Sequence, residues 1–135
     1  MIETESSMTR TAVYAAGVAR SRSPHAHAVK AGGFVFVSGC AGYDAESRLA
    51  PGDFAAQCRQ ALSNVGGILA AAGSSLAKAV KVTVYLDRRA DFEEMNAIYA
   101  EFFGADPAAW PARTTVEARL PRKDFLVEVE CVALA

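Results

Sequence analysis

Residues 111–135 read PARTTVEARLPRKDFLVEVECVALA, and two segments of this stretch alternate as β-strands do. Successive side chains of a strand point to opposite faces. The charged face of the first segment comprises Arg113, Thr115, Glu117 and Arg119. The corresponding face of the second comprises Leu126, Glu128, Glu130 and Val132. With residues 120–125 as the connection, we predict that the two strands are antiparallel neighbours whose charged faces coincide.

Arg113 and Glu128 are the residues of this face that most need an explanation. One interpretation is a solvated surface with weak ion pairs, which add little to stability. The other is a functional site that brings a guanidinium and a carboxylate together on one sheet surface. The alternation alone leaves both interpretations open.

Length and composition limit the classes of protein that remain. A chain of 135 residues fits a single domain with one core. Hydrophobic residues make up 52% and charged residues 21%, and there is no apolar run of about 18 residues that could span a membrane. We therefore expect a soluble protein without a membrane partner. The net charge of -1 shows no excess of Lys and Arg, which argues against nucleic-acid binding.

Cysteine and histidine usage indicates neither disulfides nor a metal. Cys40, Cys58 and Cys131 are an odd number without a CxxC pair, and the N-terminus has no secretory signal. Reduced thiols and a cytoplasmic location are expected. His25 and His27 alone cannot supply the ligands of a zinc site, so we predict no metal. No GxGxxG, P-loop or GxSxG motif is present, so we predict no nucleotide cofactor and no serine hydrolase.

The first half of the chain has turn and helix signals. Residues 1–22 are predicted to form an N-terminal arm or an irregular first strand, and residues 23–135 the domain itself. Gly32-Gly33 joins segments 25–31 and 34–39, which predicts a β-hairpin. Asp53 is predicted to cap a helix that ends at Gly73. The apolar stripe of this helix is Phe54, Cys58, Ala61, Leu62, Val65, Ile68, Leu69 and Ala72.

The second half completes the predicted order of elements. Residues 79–86 are rich in β-branched side chains and predict a central strand. Asp91 is predicted to cap a second helix, with Glu94 completing a capping box. The buried stripe of that helix is predicted to be Phe92, Met95, Ile98, Tyr99 and Phe102. The resulting order, ββαβαββ, predicts a single-domain α+β sandwich in which one mostly antiparallel sheet carries both helices on one face. The uncovered face predicts oligomerisation, with small-molecule sites in clefts between subunits.

Several segments together resemble the RidA (YjgF) family of reactive-intermediate deaminases. They are SPHAHAV (23–29), GGFVFVSG (32–39), VYLD (84–87), DFEEMNAIYAEFF (91–103), PARTTV (111–116) and VEVE (127–130). Each segment is weak by itself, but their order and spacing make the resemblance specific over about residues 22–135. It implies a chorismate-mutase-like fold and a homotrimer with three clefts between subunits.

The resemblance also implies an activity and a set of site residues. Family members hydrolyse enamine and imine acids, of the 2-aminoacrylate and 2-iminopropanoate type, to 2-keto acids and ammonia without a cofactor. The carboxylate-binding arginine of the family falls on Arg113 and the water-orienting glutamate on Glu128. Substrate contacts are implied for the backbone amide of Thr115, the carbonyl of Gly39 and the side chain of Asn96.

Departures from the family pattern keep other functions open. His25 and Thr115 stand where many of these deaminases have tyrosine and cysteine. His25 is therefore either a catalytic or substrate-contacting residue, or a strand residue at the rim of the cleft. The Pro-His pair and RTTV are similar to the 2-aminomuconate deaminase branch, which acts on a longer unsaturated dicarboxylate. The remaining alternatives are a non-catalytic carboxylate-binding or interaction trimer, and an endoribonuclease, which the charge balance disfavours.

Overall fold

The computed structural model describes residues 9–135, so residues 1–8 of the predicted arm lie outside the described part. Six strands and two main helices follow in the order β1, β2, β3, α1, β4, α2, β5 and β6. Their bounds are β1 Arg10–Val13, β2 Ala28–Ala31, β3 Phe34–Cys40, α1 Phe54–Ala71, β4 Ala79–Leu86, α2 Phe92–Phe103, β5 Ala112–Glu117 and β6 Val127–Leu134. No helix within residues 9–135 is long and apolar enough to cross a membrane.

All six strands form one sheet, in the spatial order β1-β2-β3-β6-β4-β5. Only the β4–β5 pair is parallel, which confirms a mostly antiparallel sheet within the described chain. The predicted order ββαβαββ is confirmed from β2 onward. Part of the predicted N-terminal arm, Arg10–Val13, is a regular strand that pairs with β2 and adds one strand to that order.

The turn between β2 and β3 agrees with the prediction. Gly32 and Gly33 have φ angles of +59° and +82°, as the primed two-residue turns of hairpins require. Residues with a Cβ avoid this region, because the side chain crowds the backbone there. The two glycines therefore set the antiparallel register of β2 and β3.

Helix α1 also forms as predicted. Asp53 Oδ1 accepts a hydrogen bond of 3.0 Å from the Ala56 amide, and the chain leaves the helix through Gly73 at a φ of +82°. Every residue of the predicted stripe is buried against the sheet. The stripe did not predict Gln57 and Asn64, two polar residues that are also buried on α1.

Two predictions about helix α2 are wrong. Asp91 makes no side-chain cap, because its carboxylate instead accepts from Arg88, at 3.0 Å from Nε and 2.9 Å from Nη2. The buried stripe comprises Met95, Ile98, Tyr99 and Phe103. Phe92 is 38% exposed, and Phe103 rather than Phe102 is the buried aromatic at the end of the helix.

The predicted pairing of the last two strands is wrong as well. Strand β4 lies between β5 and β6, pairing in parallel with β5 and antiparallel with β6. The physical reason is the β4–α2–β5 connection, since a helical crossover returns the chain parallel to the strand it left. That leaves β5 at the edge of the sheet and places β6 on the other side of β4.

The two faces of the sheet differ in character. On the helix face, buried residues from β3, β4 and β6 form the core with α1 and α2. They include Val35, Val37, Val82, Val84, Val127 and Val129. We call the opposite side the open face, and it carries Phe34 and Phe36, which are 38% and 46% exposed. Exposed neighbouring phenylalanines are typical of a surface that another molecule covers.

Buried Gln57 joins three parts of the chain. Its Nε2 donates to the carbonyls of Ala50 (2.9 Å) and Asp124 (3.1 Å), while its Oε1 accepts from the Leu126 amide at 2.9 Å. The last two contacts hold the segment that leads into β6. A side chain of α1 therefore fixes the start of β6 and, with it, the position of Glu128.

We expect Gln57→Leu to destabilise the fold by about 3 kcal/mol. Leucine has a similar size but leaves the buried Leu126 amide and two part-buried carbonyls without their partner, and a buried group left unpaired costs roughly 1–3 kcal/mol. The free energy of unfolding from urea titration measures the effect. Gln60→Leu is the matched control, because Gln60 is only partly buried and donates one hydrogen bond, to Asn64 Oδ1 at 2.9 Å. Equal losses in the two variants would contradict the role given to Gln57.

Candidate active site

Arg113 and Glu128 lie on opposite faces of the sheet, so the prediction that their faces coincide is wrong for a single chain. Arg113 is in register with Val82 and Glu128 with Tyr85. Positions 82 and 85 are three apart along one strand and therefore point to opposite sides. Val82 is buried beneath the helices, which places Arg113 on the helix face and Glu128 on the open face.

Helix α2 holds the Arg113 guanidinium in place. Its Nη2 donates to Asn96 Oδ1 at 2.8 Å, and its central carbon lies 4.8 Å from the ring centroid of Tyr99. Stacking on an aromatic ring and one hydrogen bond orient the cation without neutralising it. Within residues 9–135, Arg113 forms no salt bridge. A positioned and unpaired guanidinium is suited to bind an external carboxylate.

Two buried hydroxyls on the helix face have no hydrogen-bond partner within residues 9–135. They are Thr115 Oγ1, on the same strand face as Arg113, and the hydroxyl of Tyr99, whose ring stacks near the guanidinium. Buried polar atoms usually find a partner. Burial raises the pKa of Tyr99 to about 12, against the opposing charge of Arg113, so this hydroxyl stays protonated at neutral pH. We name Arg113, Asn96 and Thr115 the arginine half-site.

Glu128 packs directly against Gly39 on the open face. A Cβ added at Gly39 would lie 2.7 Å from Glu128 Oε2, a distance at which the carboxylate would have to move. Glycine at position 39 therefore leaves room for the Glu128 side chain beside strand β3. We name Glu128, Gly39 and His25 the glutamate half-site.

The surroundings of Glu128 favour its protonated form. Burial raises the pKa of this carboxyl above its ordinary value of 4.5, and the neighbouring Glu130 raises it further. The positive charge of His25 acts in the opposite direction and is the weakest of the three influences. A carboxyl group with a raised pKa is a stronger base than an ordinary carboxylate and is therefore better suited to accept a proton.

Tyr85 and Glu130 form a pair beside Glu128 that the sequence interpretation missed. The Tyr85 hydroxyl donates to Glu130 Oε1 at 2.5 Å, and this bond raises the pKa of Tyr85. In the sequence pattern Glu130 appears only as a member of the charged face of the second segment. Its spacing of two residues from Glu128 already places both acids on one strand face, which was the available signal.

The two histidines have different environments. His25 is exposed, with Nδ1 3.2 Å from the carbonyl oxygen of Ala26, and is close enough to Glu128 for its charge to act there. His27 is buried, and both of its ring nitrogens have backbone partners, the Ala15 amide at 2.9 Å and the Ala19 carbonyl at 3.1 Å. His27 therefore has a structural role that its spacing did not predict.

The cysteines do not resemble reactive thiols. All three are free and buried. Burial raises the pKa of Cys40 to about 12, with a further contribution from Glu128, and burial likewise raises that of Cys131 to about 11. A thiol with such a pKa carries almost no thiolate at neutral pH and is a poor nucleophile.

The fold and the sequence together identify the family. The chain matches the family described as Endoribonuclease L-PSP over residues 15–135. It therefore belongs to this family, which is also called the YjgF, RutC or RidA family. The family includes non-catalytic members, so membership alone does not establish an enzyme.

Relatives in curated sequences and solved structures agree with this assignment. The chain is 40% identical over 112 residues to the 2-iminobutanoate/2-iminopropanoate deaminase of Escherichia coli K12, covering 82% of this chain and 87% of that one. It is 46% identical over 112 residues to a RutC family protein of Pyrococcus horikoshii, covering 82% and 86%. The structure of the Escherichia coli YjgF gene product superposes with a TM-score of 0.84 at 33% identity, covering 92% and 98%. Escherichia coli TdcF with bound serine superposes with a TM-score of 0.85 at 30% identity, covering 93% and 98%.

Proposed function

We propose that the protein hydrolyses small enamine and imine carboxylic acids to 2-keto acids and ammonia, in clefts shared between the chains of a homotrimer. The observation that carries the proposal is the state of Arg113. Helix α2 positions its half-buried guanidinium, which has no carboxylate partner among the described residues. The Escherichia coli relative named as an imine deaminase supports the choice of reaction.

The opposite faces of Arg113 and Glu128 support a site made by two chains. Strand β5 is a sheet edge, and the open face with Phe34, Phe36 and Glu128 is uncovered in one chain. When the β5 edge of one chain approaches the open face of the next, an arginine half-site meets a glutamate half-site. Cyclic symmetry then repeats this contact around a closed ring. Three chains in the ring give three equivalent clefts.

The proposed chemistry needs few groups. Arg113 binds the substrate carboxylate in two-pronged fashion, with Asn96 holding the guanidinium, and the backbone at Thr115 and Gly39 contacts the substrate. Glu128 orients a water molecule and accepts its proton as the oxygen bonds to the iminium carbon. The electron pair of the C=N bond moves to nitrogen. An enamine reaches the same iminium after its terminal carbon is protonated.

Glu128 acts again in the second half of the reaction. Its carboxyl returns the proton to nitrogen, then takes the hydroxyl proton as the C–N bond breaks and the 2-keto acid forms. Ammonia carries that last proton away as ammonium, and the glutamate is ready for another turnover. A raised pKa suits a group that is base and acid in turn. His25 borders the half-site as a substrate contact, and no cofactor takes part in these steps.

We expect the purified protein to accelerate 2-keto acid release from 2-aminoacrylate generated in situ. In the same buffer, sedimentation equilibrium is expected to give about three times the chain mass of 14.2 kDa. The spontaneous hydrolysis rate without protein is the baseline. Release at the baseline rate by a folded trimer would favour the carboxylate-binding alternative, and a monomer that is active would contradict the shared cleft. A cytoplasmic location stays a prediction from the sequence.

A further inference from the structure

A cavity of about 420 Å³ lies beside β1, outside both half-sites except for His25. The segment between β1 and β2 folds over the end of β2 and forms its wall. Val13 packs into the core, so Arg10, Ala12 and Tyr14 point to the open face, where Glu128 also lies. Cavity and glutamate half-site therefore share one side of the sheet.

The lining of this cavity is cationic. Arg10 and Arg20 contribute two guanidinium groups to it, and none of the described lining residues is aspartate or glutamate. Among residues 9–135, neither Arg10 nor Arg20 forms a salt bridge. Two unpaired guanidinium groups therefore border one concave place that has no acidic residue in its lining.

The cavity is also held in shape. The Arg20 guanidinium lies 3.6 Å from the ring centroid of Tyr14, a cation–π contact that restrains a flexible side chain. His27 accepts from the Ala15 amide and lies within hydrogen-bond distance of the Ala19 carbonyl, so it ties the segment carrying Arg20 to the start of β2. Preorganised donors lose less entropy when a ligand binds.

We propose that this cavity is a binding site for a carboxylate group of a small organic acid. Its volume falls in the range of small-molecule pockets, and two guanidinium groups with nearby serine hydroxyls match the donors a carboxylate needs. The carboxylate has two sources. One is the far end of a dicarboxylic substrate whose reacting end lies at Glu128, because His25 borders both places. This first source rests on the proposed function. The second source is a separate carboxylate ligand, which does not depend on the proposed function.

The test is a titration of the full-length protein with glutarate and with butyrate, at constant ionic strength, followed by amide NMR shifts. We expect saturable shifts at Tyr14, Ser21 and Ser23 in the wild type. Arg20→Gln is expected to weaken binding at these signals about two- to fivefold, the range for an exposed ion pair. Arg22→Gln is the matched control, since Arg22 is exposed, two residues away and outside the lining. Arg10→Gln provides a second variant with the same expected direction.

Two results would overturn the site. One is the absence of saturable shifts at the cavity in the wild type, and the other is equal weakening by Arg20→Gln and Arg22→Gln, which would show a net-charge effect.

Arg113→Lys distinguishes the two possible sources of the carboxylate. If the cavity holds the far end of a substrate, glutarate binds more tightly than butyrate and loses that advantage in both Arg20→Gln and Arg113→Lys. If the ligand is separate, shifts at the cavity are unchanged in Arg113→Lys. Failure of the proposed function would appear at the arginine half-site instead. The carboxylate-induced shifts of Asn96 and Thr115 would then be the same in Arg113→Lys as in the wild type.

Discussion

Replacement of Glu128 by glutamine is expected to lower turnover by about a hundredfold or more, while small carboxylates still bind. The amide keeps the size of the side chain and its fit against Gly39, but it cannot accept a proton from water. Turnover of in situ 2-aminoacrylate and affinity for pyruvate, measured on the same folded sample, check the two halves of this expectation.

Glu130→Gln is the matched control, because Glu130 lies two residues further along the same strand face. The amide oxygen can still accept from the Tyr85 hydroxyl, while the substitution removes one of the influences that raise the pKa of Glu128 and leaves the proposed base in place. We expect turnover to stay within several-fold of wild type. Glu128→Gln with normal turnover, or equal losses in both variants, would show that Glu128 is not the general base.

Stability gives a second, independent readout of the same substitution. A carboxyl whose pKa is raised in the folded state binds its proton more tightly there than in the unfolded chain. Its contribution to stability therefore falls as pH rises from the ordinary value of 4.5 through the raised pKa, and stays lower above it. Glutamine does not ionise, so Glu128→Gln is expected to be at least as stable as wild type at pH 7, with the difference shrinking towards pH 4. A residue that only balanced another charge would show the opposite sign.

Arg113→Lys is expected to weaken carboxylate binding and to lower turnover by roughly 10- to 100-fold, the cost of losing a strong hydrogen bond to a charged group. Lysine keeps the positive charge but lacks the planar fork, and it would lose the Asn96 bond or the second prong to the substrate. Titration with benzoate or pyruvate, the turnover assay and sedimentation equilibrium together measure the effect, and the trimer is expected to persist.

Arg119→Lys controls for the chemical change itself, because Arg119 is an exposed arginine just beyond the end of β5. We expect binding and turnover close to wild type in this variant. Unchanged carboxylate affinity in Arg113→Lys would place the substrate carboxylate elsewhere in the protein.

Local signals in the sequence were sufficient for much of the fold. Gly32-Gly33 defined a hairpin because two consecutive positive φ angles suit only a few residue pairs, of which Gly-Gly is one. The predictions for the Asp53 cap and the buried stripe of α1 were correct because capping and burial there depend on residues a few positions apart. The predicted Asp91 cap was wrong for an equally local reason, because Arg88, three residues earlier, pairs with the Asp91 carboxylate.

The candidate site was harder to predict because it depends on which strands become neighbours. The sequence pattern singled out residues 113 and 128, but their faces could be assigned only once β4 was known to lie between β5 and β6. The helix between β4 and β5 was the available signal for a parallel crossover. The contact of Gly39 with Glu128 joins two distant parts of the chain, and no local pattern reports it.

The placement of Arg113 and Glu128 on opposite sides of one sheet has a genetic consequence. On the proposed trimer, no chain completes a cleft alone, because each cleft takes its arginine from one chain and its glutamate from the next. In a cell that carries two defective alleles, one damaged at each half-site, mixed trimers would contain some clefts with both groups intact. Such alleles would rescue each other, whereas two alleles damaged at the same half-site would not. Whether two defective alleles complement each other would therefore depend on which half-site each allele damages.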